Sequence, residues 1–327
     1  MPRLAPAWGA ALLALALGAC APAGPGGSPA AASPTATASP PATAASPAVL
    51  PSLPAAADAA ILVGAGDIGE CGTGGPAATA EEIQRVVDRY PDAAVFTAGD
   101  DAYPDGSTAD FRECYDPWWG RFLNRTRPAA GNHEWHTPDA AGYLAYYGNR
   151  AGTTGGTWYA YDAGSWRVIV LDSDCDETGG CGPSSPQGRW LAAELAAHAA
   201  ACTLAIWHHP RFSSGLHGNQ EAAAPLFDAL YVAGADVIVN GHDHHYERFA
   251  PQDPAGRPDP VRGIREFVAG TGGGHLYPTL FAGPTSEVRH SGSFGVLVLE
   301  LGKGSYAWTF EAAGESTFTD SGTGTCH

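Results

Sequence analysis

An α/β fold is predicted for the folded part of this 327-residue chain, on three observations. Short β-branched runs alternate with segments of helical period from about residue 60 to residue 240. Beyond them the β-like runs near Phe267, at 296–301 and at 306–310 follow one another without a helix, which adds late antiparallel strands to a mixed sheet. Five times along the chain, a β-like run leads at once into residues of ligand type. In open α/β sheets, ligands bind outside the carboxyl ends of the strands.

Taken in order, residues 1–20 read as an export signal. Arg3 supplies the positive start, and the apolar stretch from Ala10 to Leu17 is too short to span a bilayer. It ends Leu17-Gly18-Ala19-Cys20, which resembles the lipobox of bacterial lipoproteins, with Cys20 lipidated; an ordinary cleavage near Ala19 is the alternative. Residues 21–57 are almost all Ala, Pro, Ser, Thr and Gly, a composition that buries no apolar area and makes a flexible tether. A folded domain is expected over 58–327. The protein is expected to be exported, monomeric, and lipid-anchored at the cell surface or the periplasmic face of a membrane, which it meets only through Cys20.

Within the domain, Ile61-Leu62-Val63 predicts a buried strand ending at Gly66-Asp67, and a helix follows at 78–90. Ala94-Val95-Phe96-Thr97 is the next strand, ending at Gly99-Asp100. A strand at 167–171 runs into Asp172, and helices are expected at 187–199 and 219–232. Leu204-Ala205-Ile206-Trp207 runs into His208, and Val237-Ile238-Val239 into Gly241-His242.

Hydrophobic residues at 44% suffice for a large core, while 34 acidic against 17 basic residues give a formal charge of -17. So acidic a surface excludes nucleic-acid binding through a basic groove. Acids gathered in a pocket attract cations instead, and cations then hold anions. Besides Cys20 there are six cysteines, which allow 15 pairings in an exported chain. Cys175 and Cys181 flank a short Gly-rich loop and can pair locally. No CxxC pair offers a thiolate zinc site.

The strand-end groups are Gly66-Asp67-Ile68-Gly69, Gly99-Asp100-Asp101-Ala102-Tyr103, Gly131-Asn132-His133-Glu134, Trp207-His208-His209-Pro210 and Gly241-His242-Asp243-His244. Singly, each is as well explained by a turn or a helix cap. Jointly they offer carboxylates, an amide carbonyl, a phenol and imidazoles, which suit iron, zinc or manganese. About seven such donors exceed the needs of one ion and fit a pair bridged by a carboxylate. His136, His198, His275, His290 and His327 are left as ordinary surface or core residues. Gly270–Gly274 and Gly72–Gly75 lack the Lys of a phosphate loop and read as structural turns. Trp118, Trp119 and Trp135 serve either a pocket wall or the core.

These five motifs are similar to those of the calcineurin-like metallophosphoesterases, and Tyr103 with Gly241-His242-Asp243-His244-His245-Tyr246-Glu247-Arg248 resembles the purple acid phosphatase branch. The resemblance covers about residues 60–311. It implies a four-layer αββα sandwich of two mixed β-sheets, without the separate N-terminal β-sandwich of the plant enzymes. It implies Fe(III) on Asp67, Asp100, Tyr103 and His244. A second ion, Fe(II), Zn(II) or Mn(II), would take Asp100 as bridge with Asn132, His208 and His242. It also implies His133 and His217 as the residues that reach substrate and protonate the leaving group, with Gly218 where relatives often have a further His. His209 is expected to point away from the metals, and Asp101 to lie behind the ligands or on the surface. The implied activity is hydrolysis of a small phosphate ester, a monoester above all, by hydroxide generated at the dinuclear centre. A phosphodiesterase or nucleotidase on the same site, and a non-catalytic metal- or phosphate-binding lipoprotein, are the alternatives.

Overall fold

A computed structural model of the chain describes residues 59–152, 156–198 and 200–327. The expected signal, Cys20 and the tether at 21–57 lie outside the described residues. No helix among the described residues is long and apolar enough to cross a membrane.

The strands are β1 (Ala60–Ala65), β2 (Ala94–Thr97), β3 (Thr126–Arg127), β4 (Tyr159–Ala163), β5 (Trp166–Val170), β6 (Cys202–Ile206), β7 (Val237–Asn240), β8 (Tyr246–Phe249), β9 (Arg265–Ala269), β10 (Ser286–His290), β11 (Gly295–Gly302), β12 (Ser305–Ala312) and β13 (Thr319–Thr325). They form two mixed sheets. One runs β13-β12-β11-β1-β2-β3, the other β10-β8-β9-β7-β6-β5-β4. β1, β2 and β3 are mutually parallel, as are β5, β6, β7 and β9. The late strands supply the antiparallel part, β11 lying against β1.

The layering follows from side-chain parity. Successive residues of a strand face opposite sides of its sheet. Leu62, Leu297 and Leu299 meet Val168, Val170, Leu204, Ile206, Val237 and Val239 in a core between the sheets. Their neighbours Val63, Val296 and Val298 pack outward beneath the helix Gly75–Arg89, against Ile83 and Val86. Ile169, Ala205, Ile238 and Val268 pack outward on the other side, against Leu191 of the helix Pro186–Ala197 and Leu226, Phe227 and Leu230 of the helix Ala224–Ala233. Strands buried on both faces read as continuous apolar runs, as β1, β2, β6 and β7 largely do. The result is the four-layer αββα sandwich.

Two expectations need correction. The helix expected from residue 219 begins at Ala224, where Pro225 occupies the first turn and needs no N–H partner. The third motif does not follow a strand at once. β3 ends at Arg127, and Pro128, which has no N–H to give a ladder, separates it from Gly131. Three disulfides close the chain: Cys71–Cys114, the expected local pair Cys175–Cys181, and Cys202–Cys326.

Candidate metal centre

The loops leaving the carboxyl ends of β1, β2, β3, β6 and β7 converge on one point. Three residues at that point hold left-handed backbone: Asp67 at φ 60°, Asp100 at φ 52° and His242 at φ 70°. Such a conformation costs a non-glycine residue on the order of 1–3 kcal/mol and persists where surroundings impose it. Here they do. The Asp67 N–H donates to Gly99 O (2.9 Å), the His242 N–H to an Asp67 carboxylate oxygen (2.8 Å), and the His133 N–H to Asp100 Oδ1 (2.9 Å). Glycine is required where backbone meets these side chains: a Cβ on Gly241 would stand 2.6 Å from Asp67 Oδ2.

All seven side chains singled out as donors come together, in two groups that share Asp100. In the first, the Tyr103 hydroxyl lies 3.0 Å from Asp67 Oδ1, 3.0 Å from His244 Nε2 and 3.2 Å from Asp100 Oδ2. In the second, His208 Nε2 lies 3.2 Å from Asp100 Oδ2, 3.1 Å from Asn132 Oδ1 and 3.3 Å from His242 Nδ1. The inner nitrogens of two imidazoles are aimed by their outer N–H groups. His208 Nδ1 donates to Ala98 O (2.9 Å), and His244 Nδ1 to His275 O (2.7 Å). Fixing one ring nitrogen in this way directs the lone pair of the other inward.

The donor chemistry fits cations. Asp67 and Asp100 are 0% and 2% exposed, and among the described residues only imidazoles lie within ion-pairing reach of them. Burial, then the carboxylates of Asp67 and Asp100, push the Tyr103 phenol well above its ordinary value. Burial opposes the charged form of Asp100, yet His208 and His133 hold its carboxyl well below the usual range. Burial and the nearby His208 hold His242 neutral, with its pKa well below the ordinary value. Burial opposes a charged His208, yet Asp100 raises its pKa well above the ordinary value, and Asp67 likewise raises that of His244. Buried carboxylates and a phenol converging without Lys or Arg among the described residues thus form a site that draws in positive charge.

Both residues expected to reach substrate border this centre. His133 Nδ1 donates to Pro104 O (2.5 Å), and its Nε2 stands 3.7 Å from Asp100 Oδ2. The His217 ring lies 4.4 Å from that of His242, with Nε2 3.1 Å from the Tyr277 hydroxyl. His209 does not turn wholly away. Its ring is 4.3 Å from that of His242, although Ser173 Oγ engages its Nδ1 at 2.9 Å. Asp101 is fully buried, with Thr97 Oγ1 donating to it at 3.1 Å, so the surface placement is excluded. Trp119 belongs to the core under the first helix, Trp118 is exposed, and Trp135 donates to Asp172 Oδ2 (3.1 Å). The glycine turn after β9 is structural: Gly272 and Gly274 donate their N–H groups to Gly66 O and Asp67 O.

Three supporting residues went unread. Glu134 accepts the N–H groups of Asp100, Asp101, Ala102 and Gly131, tying the second and third loops together. Asp243 accepts the His217 N–H (2.9 Å) and the Ser213 hydroxyl. Both stand inside quoted motifs, so adjacency to the donors was the available signal. Tyr277 stacks on His244 at 4.5 Å and donates to His242 O (3.0 Å); nothing near it in the chain announces this.

Residues 62–246 match the family model described as calcineurin-like phosphoesterase. An uncharacterised protein of Mycobacterium tuberculosis is 34% identical over 223 residues, 52% of this chain and 41% of that one. Purple acid phosphatase 15 of Arabidopsis thaliana is 27% identical over 207 residues, 52% of this chain and 38% of that one. The chain thus matches less than half the length of these curated relatives. The structure of a purple acid phosphatase from yellow lupin (Lupinus luteus) seeds superposes with a TM-score of 0.66 at 17% identity, covering 81% of this chain and 53% of that one.

Proposed function

The chain belongs to the calcineurin-like phosphoesterase family, and from that premise we propose that it hydrolyses phosphate esters, monoesters above all, as an acid phosphatase of the purple type. The observation that carries this reading is the sharing of Asp100 between two donor groups, one with the Tyr103 phenol and one with Asn132 and two imidazoles. Asp67, Asp100, Tyr103 and His244 would hold Fe(III), and Asp100, Asn132, His208 and His242 would hold Fe(II), Zn(II) or Mn(II). Bound there, two cations supply Lewis-acid charge and lower the pKa of water. A trivalent ion next to Tyr103 also reverses the sign of its surroundings and favours the phenolate.

The remaining work falls to the protein. His133, its Nδ1–H engaged by Pro104 O, presents Nε2 to the open side of Asp100, where it can hydrogen-bond a phosphoryl oxygen or pass a proton to the departing alcohol. His217 stands at the rim, braced by Tyr277 and Asp243, as the second candidate donor. Glu134 holds the Asp100 and Gly131 loops in register, so the donors need not reorganise during reaction.

Three disulfides support export, which agrees with a signal over 1–20 and a lipid on Cys20. Cys20→Ser is expected to release the protein into the medium; retention on membranes overturns the anchor. The central test is metal analysis and a visible spectrum of the purified protein, with hydrolysis of a chromogenic monoester. One iron with one other ion, and a purple band lost in Tyr103→Phe, is the expected result. Two metals with activity but no band removes Fe(III) and the role of Tyr103. No metal and no turnover ends the enzyme reading.

A further inference from the structure

Next to the metal centre, two cavities adjoin and share Glu177. The smaller, about 290 Å³, is lined by His209, Ser173, Asp174 and Asp176. The larger, about 710 Å³, has Trp135 and Trp158 in its walls, with Leu144 and Pro186, and the carboxylates of Asp139 and Glu177. Both touch elements of the centre. His209 lines the smaller cavity and packs its ring 4.3 Å from that of His242, and Trp135, in the wall of the larger, donates its backbone N–H to Asn132 O at 3.2 Å.

Neither cavity is lined by Lys or Arg among the described residues. One oxygen of Asp174 is buried with no hydrogen-bond partner among the described residues. Burial and the neighbouring Asp172 push that carboxyl up to about 8. Indole rings beside uncompensated carboxylates form the surroundings that attract an alkylated ammonium, which has both positive charge and apolar surface. A polyphosphate or acidic leaving group would instead meet the carboxylates of Asp139, Asp176 and Glu177, Asp174 being protonated at neutral pH. The larger volume is that of a small-molecule pocket.

We propose that the preferred substrate is the phosphomonoester of a cationic amino alcohol, its ammonium group seated in the cavity walled by Trp135 and Trp158. The proposal rests on the phosphoesterase reading and specifies its substrate. In the reaction, water oxygen bonds to phosphorus, the phosphorus–alkoxy bond breaks, and the alkoxy oxygen leaves with one proton as the free amino alcohol.

The test compares choline phosphate with its neutral isostere 3,3-dimethylbutyl phosphate, on the full metal-loaded protein. The cation is expected to raise kcat/KM by roughly 10-fold or more, the effect of one desolvated cation–π contact. Glu177→Gln is expected to bring that ratio toward one by lowering kcat/KM for the cationic ester, and Trp158→Leu to lower kcat/KM for both esters, for the cationic one more. Glu177 is exposed, so its variant folds even if the buried Trp158 variant does not. A ratio near one in the unaltered protein, or a ratio untouched by Glu177→Gln, overturns the proposal. If neither ester is hydrolysed, that failure belongs to the phosphoesterase reading. Calorimetric titration with choline then decides the cavity: binding weakened by Glu177→Gln supports it, and no binding overturns it.

Discussion

Among the described residues, clusters of metal-ligand residue types sit at both ends of the parallel strands, and those at one end alone are built to hold a cation. At the amino ends of β6 and β7, Cys202, Asp236 and Cys326 bring donor atoms within 4.8 Å of one another. At the carboxyl ends, Asp67, Asp100 and His208 do the same. In the first cluster every ligand atom is already engaged. The sulfurs are bonded to each other, Asp236 Oδ2 accepts the Thr203 N–H (2.8 Å), and Oδ1 accepts that of His327 (3.0 Å). In the second, one oxygen is shared among several partners: Asp100 Oδ2 meets two imidazole nitrogens and the Tyr103 phenol, which Asp67 also faces. Residue type cannot separate the two clusters. The balance of donors against converging acceptors does.

The sharpest way to break this contrast is Asp100→Asn, which keeps shape and removes the shared charge. Metal content is expected to fall at both positions, and turnover by at least about 1000-fold, several kcal/mol of lost transition-state stabilisation. Full metal content in that variant would mean that Asp100 bridges nothing. At the opposite end, Cys326→Ser opens a bridge spanning 124 residues. The loop-entropy model puts its cost at about 4–5 kcal/mol, to be read by denaturant unfolding, with metal content and kcat per folded molecule unchanged. Loss of metal there would join the two ends functionally. The smallest effect is expected for Glu134→Gln. Its amide nitrogen cannot accept an N–H, so the pairing of the Asp100 and Gly131 loops loosens and metal affinity falls by about 10–100-fold. Equilibrium dialysis measures it, and unchanged affinity would make Glu134 a purely structural brace.

Legibility was uneven for physical reasons. β1, β2, β5, β6 and β7 were readable because strands buried on both faces must be apolar throughout. β4, β10 and β13 were not, since they carry polar residues on a solvated face and owe their strand state to their neighbours. Nor was β8, whose buried Glu247 interrupts the apolar pattern. The donors Asp67, Asp100 and His242 were readable because the ends of buried strands are where an α/β sheet exposes its residues. The Trp135–Trp158 cavity was not, because its walls lie on separate loops.

By itself, then, the sequence determined which donor types exist, their order, and the layer class, since strand period and strand-end chemistry are local. Only the tertiary structure decided that His208 faces Asp100 and Asn132 while His209 is held by Ser173. It alone buried Asp101, paired Cys71 with Cys114 and Cys202 with Cys326, and brought Tyr277 against His217 and His244. The direction of a side chain and the meeting of distant loops depend on how two packed sheets orient their ends. No short stretch of chain carries that information.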